Sequence, residues 1–146
     1  YVLMPEETRK EFLSVLERTS GSTSSLVQHL VNAFIEDRSL EVSLDLARNS
    51  MASRMRTLCN CLGASLPGLP FETPQGGIYL WLRTPGRSGT LAAGTAKKVG
   101  VGVVPGRLFS YAGEDIEAVR LSVSRLSTVM IQEAVDRFVS AWEKQS

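Results

Sequence analysis

The chain is poor in the residues that most often carry metals and nucleophilic chemistry. Its only histidine is His29, and Cys59 and Cys61 are its only cysteines. Two thiols and one imidazole are too few to close a zinc site. The cysteines lie two apart in a helical pattern, where positions i and i+2 face different ways, so neither a disulfide between them nor a shared metal is expected. They read as reduced structural thiols. With no second histidine and no assignable partner, His29 reads as a surface or packed helix residue before it reads as a catalytic base. Long hydrophobic runs are missing as well. Ile78 to Leu82 is among the longest, far below the ~20 residues that span a bilayer, and no secretory h-region opens the chain. An excess of one charge is also lacking: 16 Lys and Arg against 15 Asp and Glu leave a net +1, which gives no general pull toward nucleic acid or an anionic membrane. A cytoplasmic chain with no membrane and no direct nucleic-acid contact is expected.

What is present is globular. A chain of 146 residues is the size of one domain, and 43% apolar with 21% charged residues excludes a disordered or fibrous protein. The opening Tyr1-Val2-Leu3-Met4-Pro5 is apolar and strand-like, as if cut from something longer, and a fragment is expected.

Pro5, Glu6 and Glu7 open a helix that Phe12, Val15, Leu16 and Thr19 carry to Ser20-Gly21. The run Ser22-Thr23-Ser24-Ser25 offers N-caps to a second helix with Leu26, Leu30, Ala33 and Phe34 on its apolar face. Leu40, Leu44, Ala47, Met51, Met55, Leu58 and Leu62 keep one stripe in line along a long third helix, for which Gly63 is the expected C-cap and Pro67 the stop. Between residues 63 and 77 the composition turns to glycine, proline and serine, the best candidate for a domain boundary. Residues 1–65 then form one part and 66–146 a small α+β domain.

In the second part Ile78 to Leu82 predicts a strand, Ser88 to Val99 a helix with Leu91, Thr95 and Val99 inward, and Val101 to Val104 a short strand. Ser127-Thr128 caps a last helix with the stripe Ile131, Ala134, Val135, Phe138 and Trp142. The expected fold is α+β: helices and a long connecting helix, then a small three-stranded sheet covered by helices on one face.

Val119 to Ser124 carries the chemistry. Its apolar residues alternate with Arg120, Ser122 and Ser124, the period of a strand with one face in a core and the other in a polar space. A guanidinium on a rigid strand can grasp a carboxylate by two parallel charge-assisted hydrogen bonds. An Arg solvated on an exposed face, or paired with a Glu, has the same pattern. The pair Gly76-Gly77 before the first strand suits either an ordinary turn or close approach of backbone to a ligand.

Pro74 to Leu82, Gly100 to Phe109 and Val119 to Ser124, in this order and spacing, resemble the C-terminal region of fold-type I pyridoxal-phosphate aminotransferases. The likeness is to the class I/II group that includes aminoadipate-type transaminases and the effector domains of MocR-type regulators. Residues 23–28 and the arginines from Arg48 to Arg54 extend it over nearly the whole chain, although Met51 stands where many relatives have an aromatic residue.

The resemblance implies that Arg120 binds the substrate α-carboxylate, with Gly76, Gly77, Pro105, Gly106 and Phe109 as neighbours of the site. It implies transfer of an amino group between an amino acid and a 2-oxo acid, pyridoxal phosphate as cofactor, and a homodimer. The apolar stripes of the first three helices, without a larger domain to cover them, predict that the fragment self-associates, with helix exchange between copies as one route. Lys10, Lys97, Lys98 and Lys144 lie in charged helical settings, unlike a Schiff-base lysine. No catalytic residue is therefore assigned within the chain, and it is expected to be inactive alone. A MocR-type regulator's effector domain is the alternative.

Overall fold

The computed structural model describes residues 2–19 and 24–144. Within them the α+β expectation holds, with five α-helices and a three-stranded antiparallel sheet. The chain divides into two compact units, residues 1–45 and 46–146. Each has its own logic.

In the first unit, Glu6 and Glu7 occupy the first turn of helix α1 (Glu6–Thr19), where their charge complements the positive end of the dipole. Helix α2 (Ser25–Glu36) has Ser24 at its N-cap without a side-chain capping bond. The other expected caps, Ser22 and Thr23, lie outside the described residues, as do Ser20 and Gly21. Neither helix has a buried residue. Their apolar stripes are open: Leu30 is 61% exposed and Phe34 49%. The Asp37 carboxylate accepts from the Ser39 backbone N–H at 2.9 Å, which starts helix α3 (Ser39–Ser65) and lowers the Asp37 pKa.

The second unit holds a core. Met55, Leu58 and Leu62 are the buried part of the α3 stripe, and Met51 packs at its edge. The helix does not stop at Gly63. It runs two residues further, and Leu66 N–H still reaches the Leu62 carbonyl at 2.8 Å. Leu62 and Leu66 are both buried and four apart on one face. Burying a second leucine outweighs the ~1 kcal/mol that a helical glycine costs.

The sheet order is β1-β3-β2, with β1 (Tyr79–Arg83) and β2 (Val104–Pro105) each antiparallel to the central β3 (Ala118–Ser122). Leu80 and Leu82 of β1 face Leu121 and Val119 of β3 across the ladder, and all four are buried. They pack with α3, with helix α4 (Gly89–Lys98), and with Ile131, Val135, Phe138 and Trp142 of helix α5 (Thr128–Glu143). The helices thus cover one face of the sheet. The alternation read from residues 119–123 holds, Val123 being fully buried although the strand ends at Ser122. The expected cap of α5 is also in place, Ser127 Oγ accepting from Met130 N–H.

Two further expectations are corrected. The strand over 101–104 shrinks to Val104–Pro105. Gly100, at φ 77°, closes the C-terminus of α4: its N–H bonds the Lys97 carbonyl, and Val101 N–H bonds that of Ala96 at 2.9 Å. That arrangement is a Schellman cap, so the Val101 backbone is engaged by the helix and not by the sheet.

The inward face of α4 is Gly89, Ala92, Thr95 and Ala96, while Leu91 is 54% exposed. Small residues win that face because the helix lies close on β3. A Cβ on Gly89 would overlap the Ile116 and Ala118 carbonyl oxygens, and one on Gly106 would stand 2.9 Å from the Ala118 oxygen.

Candidate functional site

The sheet face turned away from the helices carries the site. Strand register sets its members: Arg120 lies opposite Trp81 on one side and Val104 on the other. Residues directly opposite share a face, and so does the diagonal neighbour Tyr79. Arg120 therefore sits mid-sheet with an aromatic strand beside it.

The 3₁₀ turn Gly106–Phe109 begins where β2 ends and brings Phe109 to the other flank of Arg120. The Arg120 guanidinium carbon is 4.0 Å from the Tyr79 ring centroid and 4.8 Å from that of Phe109. Trp81 meets Phe109 edge to face, centroids 5.5 Å apart at 83°. A cation against a ring face gains ~0.5–1 kcal/mol at exposed sites.

No carboxylate of the described residues answers this cation. Among the described residues Arg120 makes no ion pair, and its Nε is the one buried side-chain nitrogen or oxygen without a hydrogen-bond partner. A buried donor left unsatisfied costs about 1–3 kcal/mol. The Glu-paired alternative is thus not the arrangement found among the described residues. Arg120 is half-buried, held by rings, and offers unpaired N–H groups. Its chemistry is that of an acceptor-seeking fork, suited to a carboxylate.

The neighbours divide by what they do. Gly77 adopts φ 82°, a conformation that favours glycine, in an exposed bend with Gly76 just before β1. That bend sets the entry of Tyr79 into the strand. Pro105 pairs with Val119 in the sheet, and Gly106 is buried against β3, so both position Phe109. Beside Trp81, on the side of Arg83, opens a recess of about 440 Å³ lined by Pro70, Phe71 and Glu72. Arg54 on α3 donates to the carbonyls of Ser124 at 2.9 Å and Val123 at 3.4 Å, anchoring the chain just past the strand that carries Arg120.

Sequence reasoning missed Tyr79, Trp81 and Arg54 as members of this constellation. The first two were visible as an aromatic pair with period two, but only the strand register puts them beside Arg120.

Other candidates stand apart. His29 is exposed on α2. Cys59 and Cys61 are free and half-buried, and burial pushes the Cys59 thiol up against a smaller opposing effect of the Thr73 hydroxyl. No group of His, Cys, Asp or Glu among the described residues is arranged to hold a metal, and no helix of theirs is long and apolar enough to cross a membrane.

Comparison with known proteins gives one family. The family model described as aminotransferase class I and II matches residues 1–138. No curated protein matches. Among solved structures the chain is similar to LysN, the α-aminoadipate aminotransferase of Thermus thermophilus, complexed with N-(5'-phosphopyridoxyl)-L-leucine. That match has 22% identity and TM-score 0.83, covering 97% of this chain and 37% of that one. The kynurenine aminotransferase of Pyrococcus horikoshii matches at 22% identity and TM-score 0.85, covering 97% and 35%. The aspartate aminotransferase of Thermus thermophilus with maleate matches at 27% identity and TM-score 0.77, covering 94% and 35%. The chain thus spans little more than a third of the length of these enzymes.

Proposed function

The chain belongs to the class I and II aminotransferases, and from that premise we propose that it is the C-terminal part of such an enzyme, in which Arg120 binds the substrate carboxylate. The reaction moves an amino group from an amino acid to a 2-oxo acid, and the carboxylate is the group common to both. A fork fixed on a strand serves either substrate in the same geometry. On this reading residues 1–65 are the end of the large domain with its connecting helix, and 66–146 are the small domain.

The observation that carries the reading is the guanidinium of Arg120, stacked on two rings, unpaired, with an orphaned buried Nε. The ring contacts return about what the orphaned buried donor costs, so the partner this cation still lacks is an anion. That the related aspartate aminotransferase was solved with maleate, a dicarboxylate, is in keeping with it.

Pyridoxal phosphate is the cofactor of the family and supplies the carbonyl on which the amino group is carried. The residues described here fit the substrate's acid end and not the cofactor's. Lys10, Lys97, Lys98 and Lys144 are all exposed and lie in or at the end of helices, none on the sheet that bears Arg120. On this reading the chain by itself does not transaminate.

Arg120→Ala in the full-length protein tests the assignment. Removing one partner of a desolvated bidentate pair is expected to cost about 3 kcal/mol, roughly a hundredfold in kcat/KM. Cofactor absorbance is expected to be retained, because nothing in the chain places Arg120 on the cofactor. Unchanged kinetics with amino acid would refute the assignment.

A further inference from the structure

Resting on the carboxylate reading, we infer that Tyr79 and Phe109 are positioning residues that close off the Arg120 Nε, so that the acid is taken end-on by the two terminal nitrogens alone. An arginine offers a carboxylate two faces of its fork: a side-on pair, Nε with one terminal nitrogen, and an end-on pair, both terminal nitrogens. The structure separates them. Nε is buried and has no partner. A carboxylate oxygen is about the size of a water molecule and does not enter where water is excluded. The terminal nitrogens are unpaired among the described residues but are not closed off in this way.

Geometry gives the closure a cause. Tyr79 comes from β1 and Phe109 from the turn after β2, so the rings reach the guanidinium from opposite sides of the central strand. Each ring is anchored. Tyr79 is fixed by its place in the β1–β3 ladder, and Phe109 by the edge of Trp81 and by the tight seat of Gly106. The rings leave the cation little freedom about its last torsions. An incoming acid then meets a plane already set, which lowers the ordering that binding must supply.

Tyr79 and Phe109 are each nearly half exposed, so trimming either leaves the core intact. The first readout needs only this chain. In its Arg side-chain NMR spectrum, the Nε–H signal absent from Arg120→Lys is assigned to Arg120. It is expected to exchange with water at least tenfold more slowly than that of the exposed Arg56, and to be shifted upfield by the rings. Phe109→Leu is expected to weaken both effects, Tyr79 remaining, and Phe109→Tyr to keep them.

The second readout uses the full-length enzyme. There Phe109→Leu is expected to raise KM for the amino acid by roughly three- to tenfold, the scale of one lost cation–π contact and some lost order, with kcat little changed. Phe109→Tyr is expected to restore it.

An Arg120 Nε–H that exchanges as fast as that of Arg56 overturns the inference. So does a Phe109→Leu variant that leaves protection and KM untouched. If protection is present and ring-dependent but Arg120→Ala leaves KM unchanged, the carboxylate reading is what falls, and the closure of Nε stands.

Discussion

Two glycines of one helix, given the same methyl group, are expected to respond with opposite sign. Gly89 opens α4 against β3. An added Cβ overlaps the carbonyl oxygens of Ile116 and Ala118, which are backbone and cannot turn aside. Separating them strains or breaks the bond from Gly89 N–H to the Ile116 carbonyl, 3.0 Å long. Forced overpacking costs about 1–3 kcal/mol and a lost hydrogen bond about 1, against which alanine's better helix propensity returns about 0.5–1. Gly89→Ala should therefore lose ~1–3 kcal/mol.

Gly94, five residues on, has nothing within 4 Å of an added Cβ and no left-handed φ. Gly94→Ala should gain ~0.5–1 kcal/mol. Both tryptophans, Trp81 and Trp142, lie in the second unit, so their fluorescence reports its urea unfolding. At a slope of ~1.5 kcal/mol per molar urea, the two midpoints should stand more than ~1 M apart, with the parent between them. Coincident midpoints, or a Gly89→Ala midpoint above the parent's, would refute the close approach of α4 to the sheet. Gly106 also seats the Phe109 turn by that approach.

Two further outcomes follow from the surface. Asp115 accepts from the backbone N–H and the hydroxyl of Thr90, and its carboxyl is held below the ordinary 3.8, chiefly by the Ser88 hydroxyl. Because the folded value lies below the unfolded one, its contribution is full above the ordinary carboxylate range and is lost as pH falls through the folded value. Urea titrations should therefore show Asp115→Asn less stable than the parent at neutral pH and the difference vanishing in acid; curves that stay parallel at all pH would contradict this. The open apolar faces of α1 and α2 predict that the 146-residue chain self-associates, by a pairing of copies or an exchange of helices. A clean monomer by light scattering at high concentration would count against it.

What the sequence made legible was whatever depends on period alone. The alternation of Val119, Leu121 and Val123 placed the core face of β3, and the stripe from Ile131 to Trp142 placed that of α5. Arg120 followed from the same alternation. Features set by contact between distant elements were not readable.

Leu91 looked like the core of α4 because it is the large apolar residue there, yet close approach to β3 selects glycine and alanine. Gly63 looked like a helix end, but Leu66 had a buried place to reach. Val101 looked like the start of a strand, and its N–H instead completes the cap of α4. The contact of Tyr79 with Arg120 needs the register of two strands some forty residues apart in sequence, and the Arg54 bond to Ser124 joins residues seventy apart. Periodicity carries neither.

The most direct measurement pairs one atom group of the protein with one of the ligand. Affinity of the full-length protein, wild-type and Arg120→Ala, is determined for an amino acid and for the amine of the same side chain that lacks the acid group. If the guanidinium meets the acid, the wild-type protein prefers the amino acid by roughly a hundredfold, and the variant scarcely distinguishes the two. An equal preference in both proteins would mean that the acid is held elsewhere and that Arg120 has another task.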